Sequence, residues 1–93
     1  MSDTVARHLA IRGRVQAVGY RNYIEYKASV LGVGGWVRNR LDGSVEALVC
    51  GTPQAVAEMI ECAKRGPRAS VVDQVEISES TEIHTSFSRL PTA

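Results

Sequence analysis

Histidine and cysteine are scarce in this 93-residue chain, with two of each. Cys50 and Cys62 form no C-x-x-C pair, and with so few histidines they make no metal-site pattern. Cys50 falls in an apolar strand pattern and Cys62 in a helical one, so both are expected as free thiols, buried or half-buried. No apolar run approaches the roughly 20 residues that a membrane-spanning helix needs. The opening Met1-Ser2-Asp3-Thr4 lacks the basic and apolar regions of a secretory leader. The expectation is a cytoplasmic protein with no membrane partner. Also missing are a Walker A motif, a serine or cysteine nucleophile set with a histidine, and a pair of carboxylates placed for acid–base work.

The net charge of +1 excludes little by itself, but the charges are unevenly spread. Residues 1–40 carry seven basic side chains (Arg7, Arg12, Arg14, Arg21, Lys27, Arg38 and Arg40) against Asp3 and Glu25. Residues 41–93 carry eight acidic side chains and four basic ones. A small anion would therefore be drawn to the first half.

The length suits one domain, 1–93, and no linker, repeat or low-complexity segment interrupts it. Val5 to Val15 alternates as a half-buried strand, with Leu9, Ile11, Gly13 and Val15 on one face. His8, on the other face, is expected to look at solvent without a titratable partner. Tyr20, Ile24, Ala28 and Leu31 recur at helical spacing, and Gly32 suits the helix end. Trp36 to Arg40 is a second strand. Asp42-Gly43 predicts a two-residue type I′ hairpin into a third strand, Ser44 to Gly51. Thr52-Pro53 opens a second helix with the apolar stripe Val56, Met59, Ile60 and Ala63, and Glu61 is spaced to pair with Arg65. Gly66-Pro67 ends it. Val71 to Ser80 is a fourth strand with Val71, Val75 and Ile77 on one side, 81–86 is a polar loop, and Phe87 adds a short edge strand. Pro91-Thr92-Ala93 reads as a tail. The order βαββαβ predicts an α+β, ferredoxin-like sandwich: an antiparallel sheet of four to five strands with two helices on one face. In that topology Asn39, near the end of the second strand, approaches the loop after the first. The same order occurs in RNA-recognition modules, but these need aromatic residues on the middle strands. The first and third strands have none, so no nucleic-acid partner is expected.

Chemistry concentrates in Gly13-Arg14-Val15-Gln16-Ala17-Val18-Gly19-Tyr20-Arg21. A strand end, a tight loop and a helix start follow one another here. Backbone N–H groups then converge beside the positive end of a helix dipole, which suits phosphate. Arg21 adds a planar guanidinium that matches two phosphate oxygens. A plain β–α connection with an exposed arginine would show the same local pattern. A second stretch, Gly35-Trp36-Val37-Arg38-Asn39, tips the balance. Arg38 and Arg40 read as open-face strand charges, Trp36 as packing, and Arg14 as a contributor to the local field.

Together the two stretches resemble the signature of the acylphosphatase family. Its pattern Gly-Arg-Val-Gln-Gly-Val-x-Phe-Arg lies at 13–21, and Gly-Trp-Val-Arg-Asn, a short gap, Asp-Gly and Val-Glu lie at 35–46. The resemblance covers nearly the whole chain. It implies a free-standing, metal-independent hydrolase of acyl phosphates, acting as a monomer without a cofactor and releasing inorganic phosphate. Arg21 would bind the phosphoryl group, and Asn39 would orient the attacking water. The backbone amides of Val15, Gln16, Ala17, Val18, Gly19 and Tyr20 would cradle the phosphate. A non-catalytic anion-binding or acyl-phosphate-binding module on the same fold is the alternative. Two departures stand out. Ala17 replaces the family's usual glycine, which would cost about 1–2 kcal/mol if that position needs positive φ. Tyr20 replaces phenylalanine and adds a hydroxyl that needs a partner.

Overall fold

The structure is a computed structural model and describes residues 3–93. Met1 and Ser2, where the stretch read for a leader begins, lie outside the described residues. Alternation makes β1, Val5–Arg14, with Leu9 and Ile11 fully buried. The helical spacing makes α1, Tyr20–Leu31, which buries Tyr20, Ile24 and Ala28. Gly32 ends α1 in the left-handed conformation and donates to Ala28 O. β2, Gly34–Asn39, starts two residues before the expected strand and leaves Arg40 outside it. β3 is Val45–Gly51. Thr52 caps α2, Pro53–Arg65, by accepting from Ala55 N at 3.1 Å, a bond worth about 1 kcal/mol. β4, Val71–Ser80, and β5, Phe87–Arg89, complete the set.

The strands lie in the order β4-β1-β3-β2-β5. Val45, Ala47 and Val49 of β3 meet Leu9, Ile11 and Val37 on one face, where Ile24 and Ala28 of α1 and Val56, Met59 and Ala63 of α2 cover them. Burying each of the larger of these side chains stabilises the fold by roughly 1.5–3 kcal/mol. The expected ferredoxin-like sandwich is present, but its sheet is mixed. β5 pairs parallel with β2, whereas the other pairs are antiparallel. The connection explains this. β4 and β5 occupy opposite edges, so segment 81–86 has to cross the sheet and the chain returns along the far edge in the reverse direction. The crossing is fastened on the helix-free face. Glu82 accepts from Trp36 Nε1 at 2.8 Å, and His84 N donates to Cys50 Sγ at 3.1 Å. Ala6, Leu48, Cys50 and Trp36 form a small second core there.

Several local expectations change. The hairpin is not type I′. Ala17 is the only non-glycine described with positive φ, so Asp42 does not take the conformation that a type I′ turn demands. Gly43 N donates to Arg40 O and Arg40 N to Ser44 O, which closes a three-residue loop with only Gly43 left-handed. Asp42 instead uses its carboxylate, accepting from the N–H and hydroxyl of Ser44. In β4 the register shifts opposite Arg12 and Gly13, so Val72, not Val71, packs with Val75 on the core and Val71 is exposed. Glu61 pairs at 3.5 Å with Lys64, its i+3 neighbour, in place of the expected Arg65. The tail runs on as an edge: Leu90 N donates to Val37 O, Ala93 N to Asn39 O and Leu41 N to Ala93 O.

His8 does have a partner, supplied by the sheet. Its Nε2 lies 2.5 Å from Glu46 Oε2, since β1 pairs Ala10 with Glu46 and His8 is the next residue on that face. Arg38 Nε and Arg40 Nη1 reach the other oxygen of Glu46 at 2.7 and 3.1 Å. Burial pushes the Glu46 carboxyl pKa up, but the hydrogen bonds from His8 and Arg38 and the Arg38 charge outweigh it and hold the group below the ordinary glutamate range. A lowered carboxyl pKa gives stability that is full above the unfolded value and is lost as pH falls through the folded one. Glu46→Gln is therefore expected to lower the thermal midpoint at neutral pH. The gap from the parent protein should close as pH falls below about 4.3. A constant gap across a midpoint-against-pH series would refute the linkage.

Gly35 is a second weak point. Its φ is +134°, and a Cβ there would lie 1.7 Å from the Leu48 carbonyl oxygen of the neighbouring strand. Gly35→Ala is expected to destabilise the fold by about 2–3 kcal/mol, at the upper end of overpacking costs, as read from the urea midpoint.

Candidate active site

The loop leaves β1 at Val15, which is buried, and turns through Gln16 to Gly19. Two left-handed residues make the turn: Ala17 at φ 60° and Gly19 at φ 80°. The expected strain at Ala17 is thus present. Gly19 is the N-cap of α1, and no side chain caps the helix. Its first turn also holds no acidic residue. The orphan N–H groups and the positive helix end are left without a protein anion.

A cavity of about 160 Å³ lies against this turn. Val15, Ala17, Gly19, Tyr20 and Arg21 line it, together with Asn22, Asn39 and Arg89. Asn39 and Arg21, 18 residues apart, therefore share one pocket. Asn39 Oδ1 is buried and has no hydrogen-bond partner. An unpaired buried carbonyl oxygen is costly, by about 1–3 kcal/mol, so it is a plausible place for a ligand hydrogen. Among the described residues Arg21 has neither an ion pair nor a hydrogen bond, although a cation at a helix start opposes the dipole.

Two of the expected cradle residues stand back from the cavity. Val18 packs on the core. Gln16 sends its amide away, donating to Arg40 O at 2.7 Å and Ser44 O at 2.8 Å, and so ties the loop to the β2–β3 hairpin. Tyr20 is buried, and its hydroxyl donates to Ala63 O of α2 at 2.7 Å, which supplies the partner its sequence demanded. Burial, with Tyr23 and Cys62 nearby, pushes the Tyr20 phenol far above its ordinary range, so it anchors the helix and does not exchange protons near neutrality. No carboxylate or imidazole belongs to a residue lining the cavity.

Asn22 and Arg89 were not foreseen. Asn22 follows Arg21 on the first helical turn, and helix geometry alone could have flagged it. Arg89 arrives through β5, whose pairing places it opposite Val37, two residues from Asn39 along the same edge. No periodicity in the sequence signals that pairing. Its one hint is that Arg89 is the only cationic side chain after Arg68, in the acidic half.

Known proteins share the sequence and the fold of this chain. The acylphosphatase family model matches residues 7–89. An acylphosphatase of Bradyrhizobium diazoefficiens is 51% identical over 89 residues, covering 88% of this chain and 90% of that protein. The crystal structure of acylphosphatase from Bacillus subtilis superposes with a TM-score of 0.88 at 34% identity, covering 92% of this chain and 98% of its own. An acylphosphatase structure from Coxiella burnetii gives 0.90 at 29% identity, covering 95% and 94%. With the family model spanning nearly all of the chain and relatives matched over most of their own length, the chain belongs to the acylphosphatase family.

Proposed function

We propose that the protein is an acylphosphatase that hydrolyses the carboxyl-phosphate bond of acyl phosphates to a carboxylate and inorganic phosphate. One observation carries the reading: a free guanidinium, an uncapped helix start and a buried, unpartnered Asn39 oxygen line a single cavity. Arg21 and the backbone amides of the Val15–Tyr20 turn hold the phosphoryl oxygens and stabilise their growing charge. Gln16 and Val18 serve that turn through their backbones while their side chains fasten it. Asn39 Oδ1 accepts a hydrogen bond from water and aims it in line with the leaving oxygen.

Water oxygen bonds to phosphorus as the bond from phosphorus to the acyl oxygen breaks. The electron pair leaves on a carboxylate, whose conjugate acid has a pKa near about 4, so no general acid is needed. The water proton passes to a phosphoryl oxygen of the substrate, consistent with a lining that offers no base. No metal ion enters these steps. The same reading makes residues 1–93 a single domain acting as a cytoplasmic monomer, with acyl phosphate as substrate and no cofactor.

Turnover of a small aryl acyl phosphate, inhibited competitively by inorganic phosphate, is the direct test. Arg21→Ala and Asn39→Ala should each fold with a near-parental thermal midpoint and lose about 100-fold or more in kcat/KM, the first as a lost transition-state donor and the second as a lost positioning contact on the water. Parental rates in either variant would remove the mechanism. EDTA should leave the rate unchanged, and kcat should stay flat over about pH 6–8, because the lining offers no carboxylate or imidazole as a base. Metal dependence, or a sharp inflection in that window, would require a different proton or charge carrier.

A further inference from the structure

Arg89 is more than a surface cation on the last strand. Its Nε donates to Glu25 Oε1 at 2.8 Å, and its Nη2 contacts the same oxygen and Asn22 Oδ1. Asn22 and Glu25 are three apart on α1 and present one face to it. These contacts use one edge of the guanidinium. Nη1 has no partner among the described residues, and Arg89 lines the same cavity as Arg21 and Asn39. Glu25 does not line that cavity; it lines a neighbouring one of about 390 Å³ with Ser29, Thr85 and Phe87. The ion pair therefore stands between the two cavities, with the cation facing the site and the carboxylate behind it.

We propose that Arg89 is a second guanidinium that contacts substrate, donating from Nη1 to an oxygen of the phosphoryl group, and that Glu25 competes with the substrate for it. The inference rests on the cavity being the acyl-phosphate site. A dianion entering there meets two cations, Arg21 and Arg89. The carboxylate of Glu25 partly neutralises the second until the anion arrives. A charge-assisted hydrogen bond of this kind strengthens ground-state binding of phosphate and substrate alike. Its loss appears in KM and in phosphate affinity more than in kcat.

Arg89→Ala and Glu25→Gln both remove the charge pairing, so a role that lies only in the ionic attraction between β5 and α1 would make them alike. Direct contact makes them differ. Glutamine keeps an oxygen that accepts from Arg89 but removes the opposing charge. Arg89→Ala is expected to weaken inorganic phosphate binding, measured by calorimetry, about tenfold and to raise KM for a small aryl acyl phosphate similarly. Glu25→Gln is expected to bind phosphate at least as tightly as the parent protein. The thermal midpoint should fall less in Glu25→Gln than in Arg89→Ala, which also loses the contact with Asn22. Arg89→Gln carries the comparison if the alanine variant does not fold. Phosphate affinity within threefold of parental in the Arg89 variant, or weakened more than threefold in Glu25→Gln, would overturn the proposal. A parent protein that binds phosphate but turns over no acyl phosphate would sink the proposed activity alone. The binding comparison would still decide the role of Arg89.

Discussion

One side-chain amide joins the two halves of the site. Gln16 Nε2 donates to both Arg40 O and Ser44 O, so the loop before α1 is tied to the end of the β2–β3 hairpin. The first half brings the orphan helix amides and Arg21; the second brings Asn39. Backbone pairing alone does not join them, because β3 lies between β1 and β2 in the sheet. The same hairpin end is held from the outer side by the final residues, with Ala93 N on Asn39 O and Leu41 N on Ala93 O. Asn39 is thus fixed by its own strand, by the segment beyond β5 and, through the hairpin, by Gln16. Positioning of this kind matters because a displacement of about 1 Å in an aligned attack can cost about 100-fold.

The crossing of segment 81–86 has a consequence at the other end of the molecule. It sets the direction of β5, which in turn delivers Arg89 to the cavity rim. Its anchors, Trp36 and Cys50, lie on the helix-free face, away from the proposed chemistry. There His8, Arg38 and Arg40 converge on Glu46, so these cations neutralise a carboxylate instead of facing the substrate. The positive charge available to an anion is accordingly narrower than the basic first half of the sequence suggests. At the cavity lining it comes to Arg21, the helix start and the unshared edge of Arg89.

How legible all this was depended on the range of the interaction. Both helices were readable because an apolar stripe and a capping residue are local signals, as with Tyr20, Ile24, Ala28 and Gly32, or Thr52 and Pro53. β1 and β3 were readable from alternation. Where a feature depended on which strands meet, the reading failed or was silent. The His8–Glu46 pair needs the β1–β3 register. The exposure of Val71 needs the register shift opposite Gly13. Arg89 at the cavity needs β5 to run parallel to β2. Asp42 shows a different limit: its dipeptide with Gly43 suits a type I′ turn, but the hydrogen bonds to Ser44 favour a longer loop. At the site, the shared cavity of Arg21 and Asn39 was legible because two separated motifs and one topology pointed to it together.

Ala17 shows how the site tolerates an unfavourable residue. A left-handed alanine costs about 1–2 kcal/mol relative to an ordinary conformation. It persists only where its surroundings over-determine it. Here they do so from both sides. Gln16, immediately before, is locked by two hydrogen bonds, and Val18, immediately after, is packed on the core. Gly19 takes the next positive φ without a Cβ penalty, and buried Tyr20 pins the helix start to α2. The turn is therefore held by its neighbours, and Ala17 lies on the lining of the cavity without closing it. Glycine at this position would relieve the strain and free the backbone at once, so the parent residue exchanges a small cost in energy for a less mobile set of amide donors.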